Sequence, residues 1–191
     1  AGHKVAVVER WPDLYPLPRA VHFDHEIARL LQAADVINEV NKIVEPVEHY
    51  EWRNAKMQTL IDIDWGGMGP SGWPTASFFS QPDLERVLDN RIKTLGNVSV
   101  YQGWSGTSLA QDAEGVELQM VSGDFVDYKW VASDKKATLR AKYLIGADGA
   151  NSMVRQAVGV DMHDLGFAFD WLVVDVQPTQ PREWHPKTWQ L

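Results

Sequence analysis

Hydrophobic positions along this chain switch between short runs suited to strands and spacings suited to helices. KVAVVE, Lys4 to Glu9, is an apolar run bounded by charge and reads as a buried strand. Gly2, just before it, reads as the C-cap of a helix, so the chain is expected to begin inside a fold unit. RWPDLYPLPRA holds three prolines and reads as an irregular loop. In DHEIARLLQAAD, Ile27, Leu30, Leu31 and Ala34 fall at i, i+3, i+4 and i+7, one helix face, with Asp24 as N-cap. VINEVNKIVE continues as a second helix until Pro46 stops it.

EHYEWRNAKMQTLIDIDW reads as two strands with a turn near Asn54-Ala55, and GGMGPSGWP as a glycine- and proline-rich loop. SQPDLERVLDNRIKTLG carries the clearest helix. Ser80 or Gln81 caps it, Pro82 lies near its first position, Leu84, Val87, Leu88, Ile92 and Leu95 form its apolar face, and Gly96 closes it. Strand patterns then dominate in VSVYQG, TSLAQD, GVELQMV, YKWVAS and ATLRAKYLIGA, with turns at Asp112 to Gly115 and Asp134 to Lys136. A short helix in DGANSMVRQAVG and a last strand in FAFDWLVVDVQP complete the pattern. No internal repeat or low-complexity segment is visible.

Composition narrows the classes. The 191 residues carry 18 Lys and Arg against 26 Asp and Glu, a net charge of −8, with no basic cluster. That argues against nucleic-acid binding, which depends on a basic face. No cysteine is present, which excludes disulfides, thiolate metal sites and a cysteine nucleophile and fits a reducing cytoplasm. No apolar run is long enough to span a membrane, and AGHKVAVVER lacks the features of a signal peptide. The nine Trp read mainly as core and sheet packing. No histidine has zinc-ligand spacing, and His22, His25 and His49 read as surface or packing residues.

Candidate chemistry gathers where apolar runs end in acids: VAVVE at Glu9 and YLIGAD at Asp148. In open α/β sheets ligands bind outside the carboxyl ends of strands, where a carboxylate can accept both hydroxyls of a ribose. The expectation is two carboxylates at the tips of neighbouring parallel strands. Gly149 permits a sharp turn, Asn151 or Ser152 caps the helix beyond it, and Arg155 on that helix can grip a phosphate or a carboxylate. The residues alone leave other readings open. Glu9 could be a solvated strand end, Arg10 a solvated loop charge and Gln81 a plain helix cap. Asp148-Gly149 could be a strand-to-helix turn with Arg155 in a surface ion pair.

GADGANSMVR resembles the Asp-Gly motif of the class A flavoprotein aromatic hydroxylases, the p-hydroxybenzoate hydroxylase-like monooxygenases. VVER, PRAVHFDHEIARLLQ, FFSQPDLERVL and WLVVDV resemble further blocks of that family in the same order. SGWP, SQPDLE and WLVVDV carry a finer resemblance to the 3-(3-hydroxyphenyl)propionate hydroxylase-like enzymes. The family's N-terminal G-x-G-x-x-G turn and its later Gly-Asp block are not in the chain, so the chain resembles an internal part of a longer enzyme.

The resemblance implies an α/β fold: an incomplete FAD-binding Rossmann-like domain of the glutathione reductase type, with part of a β-sheet substrate domain. Residues 1–48 and 76–160 would form the first, and 49–75 and 161–191 the second. It implies FAD as cofactor, NADH or NADPH as reductant, a small phenolic aromatic substrate, a cytoplasmic setting and no membrane or nucleic-acid partner; a homo-oligomer is left open. Glu9 would bind the adenosine ribose, Arg10 would lie near the adenine, and Arg19 by the pyrophosphate or ribityl chain. Gln81 would hydrogen-bond the cofactor, Asp148 would contact the ribityl region beside Gly149, and Arg155 would serve the nicotinamide cofactor and local structure. Phe167 to Val176 and Trp65 to Phe79 would wall the substrate. The rival expectations are a flavin oxidoreductase with a non-aromatic substrate and a catalytically silent binding module.

Overall fold

The computed structural model describes residues 2–127, 129–170, 172, 174, 176, 178–181, 183 and 188–190. In chain order its elements are β1 (Val5–Glu9), β2 (His22–Asp24), α1 (His25–Ala33), α2 (Ile37–Val40), β3 (Val44–Pro46), β4 (His49–Arg53), β5 (Thr59–Asp64) and β6 (Ala76–Phe79). Next come α3 (Gln81–Lys93), β7 (Val98–Gln102), β8 (Trp104–Asp112), β9 (Gly115–Val126), β10 (Lys129–Ala141), α4 (Met153–Ala157) and β11 (Trp189–Gln190). The chain divides into two compact units, one of Ala1–Tyr15 and Leu95–Leu172, the other of Pro16–Thr94 and Val173–Leu191.

In the first unit, β1 pairs in parallel with β7, in register from Val5 opposite Val98 to Glu9 opposite Gln102. Among the described residues this is a two-stranded sheet. Val5 and Val7 are therefore exposed, where the apolar run predicted burial: a strand is buried on both faces only when layers cover both. Strands β8, β9 and β10 form an antiparallel meander with β9 in the centre. Its first turn is set by Asp112, whose Oδ1 accepts the N–H groups of Glu114 and Gly115 at 2.8 and 3.0 Å. Arg140 donates to the same carboxylate from β10. The expected break at Asp134 to Lys136 is instead a register shift between Ala132 and Lys136 within one long strand, since a bulge absorbs extra residues without ending the ladder.

The second unit holds the main cluster of buried apolar residues. Val40 is fully buried, with Phe23, Ala28, Leu31, Val36 and Ile37 around it, and Leu84, Val87 and Leu88 of α3 pack against them. Asp24 caps α1 as predicted, accepting the N–H groups of Glu26 and Ile27, both at 3.0 Å. The buried stripe of α1 is Ala28 and Leu31, while Ile27 and Leu30 face solvent. The predicted second helix is a single turn, and Val44–Pro46 pairs antiparallel with β6 instead. Three-strand pairing around β6, with β2 on its other edge, overrides a weak helical pattern. Helix α3 begins as expected with Pro82 in its first turn, but its C-cap is Thr94 rather than Gly96. Hairpin β4–β5 turns at Asn54, whose side-chain oxygen accepts the N–H groups of Lys56 and Gln58. Strand β11 joins β4 in parallel.

The apolar stretch Tyr143 to Ala147 enters no ladder among the described residues, and Tyr143 and Ile145 are 86% and 89% exposed. It has the composition of a central parallel strand, but a strand exists only through its neighbours. The described residues from 167 to 176 likewise carry no strand, and Trp171, Val173 and Asp175 of the expected substrate wall lie outside the described residues.

Beyond Ala147 the chain enters a capped turn. Gly149 has φ +79°, in the left-handed region that favours glycine. The Ser152 hydroxyl donates to Asp148 Oδ1, and Val154 N–H donates to Oδ2 at 3.2 Å. Ser152 Oγ in turn accepts Arg155 N–H at 3.0 Å, which makes it the N-cap of α4. Partial burial works against the Asp148 charge, yet the bonds from Ser152 and from the N–H groups of Val154 and Met153 outweigh it. The carboxyl titrates below its ordinary range. A carboxylate of this kind stabilises the fold above its unfolded pKa and loses that contribution as pH falls through the lowered folded value. Asp148→Asn is therefore expected to lower the melting temperature at neutral pH and to flatten the acid limb of a melting-temperature-against-pH curve. An acid limb identical to wild type would show that the carboxylate contributes nothing. Ser152→Ala should cost about 1 kcal/mol through the lost cap.

Candidate functional site

The first unit delivers Glu9 at the carboxyl end of a parallel strand, where the sequence pattern placed it. The side chain is exposed and reaches forward along the chain: its Oε1 accepts the N–H of Trp11 at 2.9 Å. Its second oxygen has no partner among the described residues, which leaves one acceptor held in place and one open. Arg10, next in the chain, is exposed, and its side chain makes no hydrogen bond or ion pair among the described residues.

Asp148 and Gly149 lie in the same unit, at the turn into α4. The carboxylate of Asp148 is directed at the helix it caps. The expected pair of neighbouring parallel strand tips does not form among the described residues, because β1 pairs with β7 and Tyr143 to Ala147 pairs with nothing. Arg155 donates from Nη1 to the carbonyl of Ala150 at 2.6 Å, bracing the turn from the helix side. Its Nε is buried and has no partner among the described residues. The surface ion pair that sequence reasoning allowed for Arg155 is not the arrangement seen.

In the second unit, Arg19 and Gln81 meet. Gln81 Oε1 accepts the backbone N–H of Arg19 at 2.6 Å and of Ala20 at 2.9 Å, and Gln81 Nε2 donates to Glu85 Oε1 at 2.7 Å. The carboxamide is thus a clasp, not a helix cap. It fixes the loop that carries Arg19 onto the first turn of α3, and Glu85, one turn along, keeps the amide from flipping. Tethering the loop in this way leaves the exposed Arg19 on a defined backbone.

Two aromatic arrangements were not visible in the sequence. In the first unit Trp11 stacks on Phe125 with ring centroids 3.7 Å apart and planes 8° from parallel, and Trp130 meets Phe125 edge-on at 5.5 Å. In the second, Trp65 stacks with His22 at 5.2 Å and with Tyr50 at 5.0 Å. Periodicity reports which face of an element a ring occupies, not which distant ring it meets. The only available signal was a tryptophan two places after a strand-end acid. Among the described residues no group of His, Cys, Asp or Glu could hold a metal ion, and no helix is long and apolar enough to cross a membrane.

Comparison with known proteins bears on this geometry. The chain is 36% identical over 177 residues to the probable NADH-specific resorcinol 4-hydroxylase of Rhodococcus jostii (strain RHA1), covering 92% of this chain and 32% of that protein. It is 31% identical over 177 residues to the 3-(3-hydroxy-phenyl)propionate/3-hydroxycinnamic acid hydroxylase of Comamonas testosteroni, covering 93% of this chain and 28% of that one. The chain thus spans a third or less of the length of these curated relatives. The structure superposes on p-nitrophenol 4-monooxygenase from Pseudomonas putida DLL-E4 with a TM-score of 0.71 at 23% identity, over 83% of this chain and 38% of that chain, which shows a shared fold. It also superposes on aklavinone-11 hydroxylase, solved in a ternary complex with FAD and aklavinone, with a TM-score of 0.63 at 25% identity, over 82% and 30% of the two chains. The FAD binding domain profile matches residues 1–190, and with a match of that extent the chain belongs to the FAD binding domain family.

Proposed function

We propose that this chain is part of an FAD-dependent monooxygenase that hydroxylates a phenolic aromatic compound with NADH or NADPH and O2. The observation that carries the reading is the Glu9 carboxylate: at the end of a parallel strand, one oxygen fixed by Trp11 N–H and the other without a partner among the described residues, it fits the diol of an adenosine ribose. The named activities of the resorcinol and hydroxyphenylpropionate hydroxylases, at 36% and 31% identity, support the reaction class.

The flavin, when bound, supplies the redox and oxygen chemistry, and the protein supplies position and charge. Glu9 takes the ribose hydroxyls and Arg10 lies by the adenine. Arg19 offers its guanidinium to the pyrophosphate or the ribityl chain, from a loop that the Gln81 clasp holds still. Gln81 serves the cofactor chiefly through that loop. Asp148 and Gly149 shape the turn by the ribityl region, and Arg155 keeps that turn rigid through Ala150. We assign cofactor binding to residues 1–48 and 76–160 and substrate contacts to 49–75 and 161–191. Absence of cysteine supports a cytoplasmic setting.

Two outcomes are expected. The purified protein should take up FAD, read as bound-flavin absorbance, and Glu9→Ala should weaken that binding about 10- to 100-fold, the worth of hydrogen bonds to a charged acceptor. A colourless protein with no affinity for flavin would favour the silent module. In the complete enzyme that carries this chain, NADH or NADPH oxidation should be stimulated by a phenol such as resorcinol or 3-(3-hydroxyphenyl)propionate, with hydroxylated product detected by mass spectrometry. Turnover indifferent to every phenol tried would point to a flavin oxidoreductase with another substrate.

A further inference from the structure

We infer that Trp11 is a positioning residue for the Glu9 carboxylate, and that Phe125, on the β9–β10 hairpin, holds Trp11 in place to do it. The inference rests on the reading of Glu9 as the ribose acceptor.

Glu9 is an exposed, three-torsion side chain at the tip of a strand that has a neighbour on one edge only among the described residues. Left alone it would sample many rotamers, and a ligand would have to order it on binding. The bond from Trp11 N–H to Oε1 removes that freedom. It spans two residues on an exposed loop, however, and water competes for such a bond unless something else fixes the loop.

Three contacts do so. The indole of Trp11 lies flat on Phe125, and Tyr15 meets it edge-on at 5.0 Å. The carbonyl of Trp11 accepts Gly103 N–H at 3.2 Å, and the carbonyl of Gly103 accepts Gly123 N–H at 2.9 Å, so the loop is sewn to the start of β8 and through it to β9. Phe125 is itself buttressed by Trp130, its register partner across the hairpin. Gly123 makes that buttress possible: a Cβ there would come within 2.6 Å of the Trp130 ring and 2.4 Å of the Val131 carbonyl oxygen. The bare backbone at Gly123 lets Trp130 lie across the strand, Trp130 supports Phe125, Phe125 carries Trp11, and Trp11 aims Glu9. A ring stack that served packing alone would not need its own backbone N–H turned onto the one acid at the strand tip.

The consequence is selective. Only a ligand with an adenosine ribose reaches Glu9, so loosening Trp11 should weaken FAD and spare FMN, which lacks the adenosine half. In the apo form of the complete flavoprotein carrying this chain, flavin-fluorescence titration should show Trp11→Ala and Phe125→Ala each weakening FAD about tenfold, the cost of re-ordering a few side-chain torsions. FMN affinity should be unchanged, and Trp11→Phe should restore most of the FAD affinity. Combined with Glu9→Ala, Trp11→Ala should add no further loss. Hydrogen exchange at the Trp11 amide should accelerate in Phe125→Leu, a variant mild enough to report even if the alanine forms fail to fold. Equal losses for FAD and FMN, additive losses in the double variant, or an unchanged Trp11 amide in Phe125→Leu would each overturn the inference. If Glu9→Ala weakens FAD while the Trp11 and Phe125 variants do not, this inference fails alone; if Glu9→Ala leaves FAD affinity untouched, the ribose-acceptor reading fails first and takes this with it.

Discussion

The parallel ladder between β1 and β7 is the constraint on which the geometry around Glu9 depends. Its register, from Val5 opposite Val98 to Glu9 opposite Gln102, decides where the strand ends and hence where an acid can stand free of the sheet. A parallel pair cannot be closed by a tight turn, so this contact joins segments far apart in the chain and requires the intervening residues to fold as a crossover. A slip of one residue would send every β1 side chain to the opposite face and point Glu9 away from its present side. The capped turn at Asp148 and the clasped loop at Arg19 each fix their own stretch of backbone. The ladder determines whether an acid stands at the strand tip at all.

A second theme runs through the polar residues. The family resemblance marks Gln81 and Asp148 as cofactor contacts, and each directs hydrogen-bonding groups at the protein itself: Gln81 at the backbone of Arg19 and Ala20 and at Glu85, Asp148 at Ser152 and the first turn of α4. Ligand binding at a loop needs both a donor or acceptor that faces the ligand and something that stops the loop from moving. Short side chains near helix starts are well suited to the second task, because the free N–H groups there need acceptors. The same physical features therefore mark a residue as a candidate ligand and as a candidate brace, and sequence alone does not separate the two. Arg155 shows the mixture within one side chain, with Nη1 on a carbonyl of the turn and Nε buried without a partner among the described residues.

The legible part of the sequence was local. The Asp24 cap, the proline-led start of α3, the Asn54 turn and the strand ending at Glu9 each arise from residues within a few positions of one another, and each was found where the pattern put it. The hidden part was decided at a distance. Val44–Pro46 continues a helical pattern on paper but lies beside β6, whose N–H and C=O groups need partners. The apolar stripe of α1 is turned by one position because the core it meets is built from α2 and α3, not from its own most hydrophobic face. Tyr143 to Ala147 is strand-like in composition and unpaired among the described residues, since composition states a preference and only a neighbour satisfies it.

The aromatic contacts belong to the hidden class, and they explain why a site can be half legible. Glu9 was readable because an acid at a strand end is a local pattern. The rings that govern its environment come from a hairpin whose register brings Phe125 opposite Trp130, with Phe125 stacked on Trp11. Trp11 is more than a hundred residues from the hairpin that carries the other two rings, and the glycine that gives Trp130 its place, Gly123, looks in the sequence like an interruption of a strand. A residue that touches a ligand must carry suitable chemistry, which a sequence displays. A residue that orients it need only have the right shape at the right point in space, and any of the nine tryptophans could have filled that role until the fold selected one.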